Sequence, residues 1–447
     1  MDLVGHTSST LQERLFYLTL VSAFTGTLWL SVEVGPIHIF PYRVLLVNSW
    51  LLFGFGILLL NRGRMSLSHV KVKEYLSFLW IWLAYALISM VWAADAVAAL
   101  KNIIFLFSGV SMVFFIVYWF RDISRLSRLF WLWLLVFLAL IPVGFWEIVT
   151  GNHLPNSMLF GEQRHWLLFV PTTIFGNEND YATFLALTLP MVLVWVRYCT
   201  RMCGRILGSL GFVAGLFLLV LTASRANYIA LLVGLVFWFL FLLKLKGRIR
   251  ILVGIAVVLA VVTAVVPGRV QESLKIVVTQ MSSLSGIVSR ADGIGSNALR
   301  ANLVRNALHF TARSAGFGVG AGNAEYYMGH YAIYPVGRTT NLHNWWMEIL
   351  VNYGVLILAG YVILYVALVL NLWRAYRRVL ERTARMICEA LLVGLVSFSI
   401  ASISSSSIIA FSPQWVYLGF CVALLNYTRV RCHTGLRDST LAELQRI

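Results

Sequence analysis

Charge is what this chain has least of. Only 12% of its 447 residues are Asp, Glu, Lys or Arg, about half the share in a soluble domain, while 60% are hydrophobic. That balance excludes a water-soluble fold and makes lipid the solvent for most of the chain. Acidic residues are the scarcer kind, 18 against 35 basic. The first outer connection offers only Glu33, and Glu178 with Asp180 form the one close acidic pair outside, so paired-carboxylate metal chemistry has little to work with. With Asn177 and Asn179 that pair reads instead as a helix cap or as ligands for sugar hydroxyls. Cysteine is also sparse: Cys199, Cys203, Cys388, Cys421 and Cys432 fall in helices, predicted cytoplasmic loops or the tail, which excludes a disulfide framework outside. An internal repeat, expected of many secondary transporters, is missing, and no small-residue cleavage site follows the first apolar run, which reads as a span rather than a signal peptide.

What the chain does have is long apolar runs. Stretches of roughly 17 to 25 residues recur throughout, each sufficient to cross a hydrocarbon core of about 30 Å as a helix. Runs such as 251–266 are apolar on nearly every face, unlike the dyad pattern of a membrane barrel strand. The expected fold is an all-α polytopic membrane protein of about twelve transmembrane helices, near 15–31, 43–60, 76–92, 103–120, 129–148, 180–196, 206–222, 227–243, 251–266, 343–371, 386–410 and 414–428.

The net charge of +17 suggests nucleic acid until the positive residues are placed. They sort by membrane side: the amino terminus, the even-numbered connections and the tail hold 24 of the 35. Clusters such as Lys244, Lys246, Arg248 and Arg250 then face the cytoplasm, and both termini lie inside. No nucleic-acid partner is implied; the partner is the bilayer. Four regions follow: amino-terminal spans in 1–148, central spans in 149–266 with an outer segment 149–179, a long extracytoplasmic loop 267–342, and carboxy-terminal spans with a cytoplasmic tail in 343–447. The long loop holds seven basic residues, including Arg300, Arg305 and Arg338. Within it, 271–281 and 297–313 read as helices lying on the membrane surface. The alternating Gly316, Gly318, Gly320 and Gly322 are a weak nucleotide-turn signal and a stronger one for close backbone approach.

Two constellations carry chemistry. Thr222-Ala223-Ser224-Arg225-Ala226-Asn227 interrupts the apolar stretch 206–243 as a tight outer hairpin. An arginine at a span end snorkels to headgroups in the plainer reading; in the functional one its guanidinium, flanked by Thr222 and Ser224 hydroxyls, is a fork for phosphate oxygens. The second constellation lies where the long loop re-enters the membrane. Asn344, Glu348 and Asn352 follow at i, i+4, i+8 on one helical face, with His343 at its mouth. Trp345 and Trp346 read as interfacial anchors that put His343 at headgroup depth. A lone interfacial histidine is usually incidental, but beside arginines it can take a proton from a hydroxyl near neutral pH.

At these residues the chain resembles the bacterial O-antigen ligase and O-antigen polymerase superfamily of membrane glycosyltransferases. The matching features are the Thr-x-Ser-Arg-x-Asn turn at 222–227, Arg300 some twenty residues before Gly318 and Gly320, the His343-Asn344 pair, and Asn352-Tyr353-Gly354, spread over roughly 170–370. Val304 departs from the tryptophan common in members. The Phe40-Pro41-Tyr42-Arg43 turn and Gly176 to Asp180 look similar to members from Gram-positive surface-polymer pathways, such as teichuronic acid polymerases.

The resemblance implies a C-type glycosyltransferase-like fold in the bacterial cytoplasmic membrane with its active site on the extracytoplasmic side. It implies an undecaprenyl-diphosphate-linked glycan as donor, Arg225 and Arg300 holding the diphosphate, and His343 as the catalytic residue that activates the acceptor hydroxyl. Thr222, Ser224, Arg305, Arg338, Asn344 and Glu348 are further candidates for substrate contact. No metal, cofactor or nucleotide sugar is implied; a flippase and a chain-length regulator are the natural protein partners. Polymerisation is the leading expectation and ligase-type transfer to a lipid A core, protein or wall acceptor the alternative. A transporter or flippase for a lipid-linked sugar is the rival from another class, and it calls for polar residues near the bilayer midplane, where Ser402 and 404–407 are the main cluster.

Overall fold

The computed structural model describes residues 2–25, 32–35, 37–55, 67–162, 168–249, 296–405 and 408–444. The expected ninth span at 251–266 and the expected surface helix at 271–281 lie outside the described residues.

Helices dominate: α1 (Asp2–Thr25), α2 (Pro41–Phe55), α3 (Lys73–Ser89), α4 (Ala96–Trp119), α5 (Ile123–Thr150), α6 (Glu178–Tyr198), α7 (Met202–Leu221) and α8 (Arg225–Phe237), the last continued by one π-helical turn at Trp238–Leu242. After the undescribed stretch come α9 (Ser296–Arg313), α10 (Ala324–Tyr331), α11 (Trp345–Arg378), α12 (Arg382–Ala401) and α13 (Ser412–Leu444). Seven helices among the described residues are long and apolar enough to cross a membrane by length and composition: α4 to α8, α11 and α12. The all-helical expectation needs one amendment. Val32–Val34 (β1) and Ile37–Ile39 (β2) pair antiparallel, Val32 opposite Ile39, across a turn that Gly35 makes at φ +57°. Short β-branched segments on either side of a glycine favour that hairpin over a helical turn.

Two expected spans are also redrawn. The segment read as one span from 343 to 371 is broken at Gly354, whose φ of 81° and ψ of −177° belong to no helix. The segment read as 386–410 stops at Ala401; Ser402 to Ser405 form a turn, followed by a single 3-10 turn at Ile408–Ala410. Ser402, Ser404 and Ser405 of the expected midplane cluster therefore sit in a connection at the end of α12, and Ser406 and Ser407 lie outside the described residues.

The core is aromatic and lies where α3, α11 and α13 meet. Trp82 packs edge-on to Tyr353, with ring centroids 5.4 Å apart, and tilts against Trp345 at 5.9 Å and Trp415 at 6.3 Å. Offset and edge-on contacts of this kind suit the ring quadrupoles and each add about 0.5–1.5 kcal/mol beyond simple burial. Trp345 is thus a core residue, 1% exposed, and not the interfacial anchor expected of it. Trp346, half-buried, donates from Nε1 to the Ser399 carbonyl, tying the start of α11 to the end of α12. α12 packs against both α6 and α8, and α13 lies along α4.

These contacts gather the amino-terminal ends of α4, α6, α8 and α11 with the carboxy-terminal ends of α3 and α12. Trp345 N donates to the Ser402 carbonyl at 3.0 Å, while Ser224 at the head of α8 bonds Asn179 at the head of α6 and Ser404 beyond α12. The described part of the long loop is lashed to that same end. Tyr85 hydroxyl donates to the Phe317 carbonyl at 2.6 Å, Trp92 Nε1 to that of Gly318 at 3.1 Å, and Asn323 exchanges hydrogen bonds with the Asp95 backbone.

Candidate functional site

The turn at Thr222 to Ser224 forms as the sequence leads one to expect, between α7 and α8, and its hydroxyls are already engaged. Thr222, buried, donates to the Leu219 carbonyl at 2.6 Å. Ser224 Oγ donates to Asn179 Oδ1 at 2.8 Å and lies 2.9 Å from Ser404 Oγ. Asn227 Nδ2 donates to both Ser224 Oγ and Ser404 Oγ at 3.0 Å, and Asn227 Oδ1 accepts from Thr183. A buried polar network whose members satisfy one another holds one geometry. It holds Arg225 at the first turn of α8, with its side chain exposed beside the network. Asn177 caps α6 by accepting from the backbone of Asn179 and Asp180, as expected.

Arg300 and Arg305 come from α9, which matches the expected helix 297–313 to within a residue. Its buried face is Leu303, Ala307 and Phe310, whereas Leu308 is exposed. On that face Asn306 donates to the Tyr334 carbonyl and accepts from the backbone of Ile333 and Tyr334, and Asn302 donates to the Pro335 carbonyl. These two asparagines brace the returning loop. Arg305 lies over the Tyr334 ring at 5.6 Å, and Arg338 is exposed further along the same loop.

The glycine run makes the close backbone approach. Val319 N and Gly320 N donate to the Val351 and Asn352 carbonyls, and Val355 N donates to that of Gly316. A side chain at Gly318 would put its Cβ 2.6 Å from Gly354 N, and one at Gly354 would put its Cβ 2.2 Å from the Gly316 carbonyl oxygen. Both glycines have φ near +80°. The break at Gly354 and the run 316–322 are therefore two halves of one joint, which sets where the loop leaves the bundle.

His343 lies just ahead of that joint with φ +47°, in the left-handed region that residues other than glycine seldom adopt. Its N–H donates to Asn341 Oδ1 at 2.8 Å, and Asn344 caps α11 by accepting from Met347 N. The imidazole is half-buried, and among the described residues it makes no side-chain hydrogen bond. Burial, and after it the charge of Arg300, push its pKa below the ordinary histidine value. Arg300 keeps an exposed surface though crowded by neighbouring atoms; that crowding, and then the charge of Arg225, lower its own pKa. Arg300 thus bears electrostatically on His343 and feels the charge of Arg225, which links residues from three distant parts of the chain. Ala223, two residues before Arg225, has φ +54°, so two of the four non-glycine residues with positive φ among those described flank or belong to this group. Strain of about 1–3 kcal/mol at each such position is tolerated only where the surroundings enforce it.

Most of the residues described above fall in a stretch that a known protein family matches. The O-antigen ligase family matches residues 210–362, which include Arg225, Arg300, the glycine joint and His343. The teichuronic acid biosynthesis protein TuaE of Bacillus subtilis (strain 168) is 32% identical over 429 residues, covering 95% of this chain and 87% of that protein. The chain belongs to the O-antigen ligase family. It is a multi-pass membrane member, and the matched residues span both constellations and the joint between them.

The sequence points to Asn227 only as part of the turn and to Ser404 and Ser405 only as midplane residues, and not to the network they build beside Arg225. Their signal was a run of serines where a span should have continued. Glu348 and Asn352 share a face as expected, but Asn352 is buried and serves the fold, accepting from Ala324 N at 2.9 Å.

Proposed function

We propose that this member of the O-antigen ligase family is a metal-independent glycosyltransferase that polymerises a bacterial cell-surface polysaccharide at the outer leaflet. In this reading the bundle is a C-type-like fold of about twelve spans with both termini cytoplasmic. It sits in the cytoplasmic membrane and carries its active site on the extracytoplasmic side. The observation that carries the proposal is that Arg300 lies within electrostatic reach of both Arg225 and His343, the latter with a pKa that burial and that charge push down, at the end of the bundle where the long loop is anchored.

The chemistry follows from the groups. His343 takes the proton from an acceptor hydroxyl, and the oxygen attacks the anomeric carbon of the donor glycan. A new glycosidic bond forms as the bond from that carbon to undecaprenyl diphosphate breaks, and the electron pair leaves with the diphosphate. Arg225 and Arg300 stabilise the charge that develops there, the task for which permanently charged planar donors are suited. Thr222 and Ser224 act by fixing Arg225, Asn344 by capping the helix that follows His343, and Arg305 and Arg338 line the approach. The likeness to a teichuronic acid biosynthesis protein favours a polysaccharide of that type as product, and in this reading a flippase and a chain-length regulator act before and beside the enzyme. The family's name favours ligase-type transfer, which would use the same machinery on a different acceptor.

Deleting the protein in its native cell and analysing lipid-linked intermediates separates the two. Polymerisation requires single lipid-linked repeats to accumulate. Accumulation of long lipid-linked chains means ligase, and no change in either pool would remove the enzyme reading altogether.

A further inference from the structure

A cavity lies against Asn341 and Leu342, the two residues that lead into His343. Its volume is about 160 Å³, and α4, the glycine run, the start of α10 and the first turn of α11 enclose it. Lys101, Asn102, Phe105, Glu325, Asn341 and Glu348 give it its chemistry. We propose that this cavity is the binding site for one neutral pyranose ring of the acceptor, and that it positions the hydroxyl that His343 deprotonates. The proposal rests on the reading of His343 as the base.

Four observations carry it. The first is size: pockets for drug-sized ligands run from about 300 to 1,000 Å³, so this one takes a single ring and not a chain. The second is charge: two carboxylates and one ammonium leave the cavity with a formal balance of 1 − 2 = −1. With the Arg43 guanidinium 4.8 Å from the Phe105 ring the surroundings are close to neutral, so the carboxylates serve as acceptors for hydroxyl donors, whereas the arginine side suits the diphosphate. Third, Asn102 is 8% exposed and lines the cavity with an unused donor. Its Oδ1 accepts from the Tyr353 hydroxyl, whereas its Nδ2 has no hydrogen-bond partner among the described residues. That donor reaches the open space of the cavity, where an oxygen of a ligand can take its hydrogen bond. Fourth, the cavity is wired to the base. Asn341 Nδ2 donates to Glu325 Oε1 at 2.7 Å while its Oδ1 accepts from the backbone N–H of His343. An occupant hydrogen-bonded to Glu325 thereby acts on the residue that holds His343 in its left-handed conformation. Lys101, exposed at the rim and without an ion-pair partner among the described residues, supplies a donor to a ring or hydroxyl oxygen, and Phe105 an apolar wall for the C–H face.

Saturation-transfer NMR on the purified full chain, with millimolar neutral hexoses, N-acetylhexosamines and hexuronates as probes, tests the site without requiring turnover. At least one neutral pyranose should receive saturation from the wild type. The signal should fall at least five-fold in Glu348→Gln and in Lys101→Met, and should persist in His343→Ala and Arg225→Ala. Lys101 is exposed, so its variant reports even where Glu348→Gln fails to accumulate. The assignment is overturned by the absence of signal from every neutral pyranose, by a preference for hexuronates, or by signals indifferent to both cavity variants. Persistence of glycan transfer in His343→Ala would instead overturn the reading of the base and leave the sugar site standing.

Discussion

His343 titrates under two influences that act in the same direction, burial first and the positive charge of Arg300 second. Both disfavour the imidazolium, so the folded pKa lies below the ordinary value of about 6.5 and the ring is the free base at neutral pH. The rate of glycan transfer in membranes should therefore lose activity on acidification with a midpoint below about 6.5. Arg300→Gln removes the second influence, so the residual activity of that variant should show its acid limb shifted toward higher pH. A limb that stays in place would mean that Arg300 does not bear on the histidine. Arg300→Lys keeps the charge but not the planar fork; a loss of about ten-fold or more in transfer, from one forfeited charge-assisted hydrogen bond of about 1.5–3 kcal/mol, is expected with the acid limb unchanged. His343→Ala and Arg225→Ala should abolish transfer with protein abundance near wild type, read by immunoblot beside a glycan assay.

The elements around the site are stiffened by two different devices, and each predicts its own failure. The joint between the glycine run and the break in α11 rests on conformations that only glycine reaches without strain, at van der Waals distances that leave no room for a methyl group. Gly354→Ala incurs about 1–3 kcal/mol of backbone strain in addition to the clash with the Gly316 carbonyl. It should lower the thermal unfolding midpoint in detergent and reduce accumulation, as should Gly318→Ala; an unchanged midpoint for both would refute the joint. The turn under Arg225 depends on hydrogen bonds. Asn227 is fully buried with all its described polar contacts inside the network, so Asn227→Ala strands partners of Ser224 and Ser404 at about 1–3 kcal/mol. Because Arg225 loses its support, the donor KM should rise more than kcat falls, a split that a merely destabilised fold would not produce.

At the scale of the whole molecule, the helix ends that meet at the site alternate as the basic residues do. Arg225, Arg300 and His343 share one end with the α3–α4, α5–α6 and α7–α8 connections, and the clusters at Lys244 to Arg248 and Arg374 to Arg385 lie at helix ends of the opposite sense. In a cysteine-free background, a membrane-impermeant thiol reagent applied to intact cells should label Arg338→Cys and spare Arg248→Cys. The reverse pattern would put the site in the cytoplasm and remove a polyprenyl-linked donor presented at the outer leaflet.

Helix ends were missed by up to 16 residues, as at α1 and α13, whereas membrane character, a mostly helical fold, the tight turn at Arg225 and the close approach of the glycine run were legible in the residues. Each is a local property: apolar length sets a span, hydroxyl and amide residues set a turn, and a positive φ asks for glycine. The hairpin at Val32–Ile39, the break at Gly354, the burial of Trp345 and the task of Ser404 were not legible, because each depends on what a distant segment brings alongside. The sequence by itself determined that Arg225, Arg300 and His343 exist, and which residue types surround each of them. That Arg300 bears on His343 and feels Arg225, and that Lys101, Glu325, Asn341 and Glu348 line one cavity, was decided only by the tertiary structure. Electrostatic coupling falls with distance in space, and distance along the chain says nothing of it.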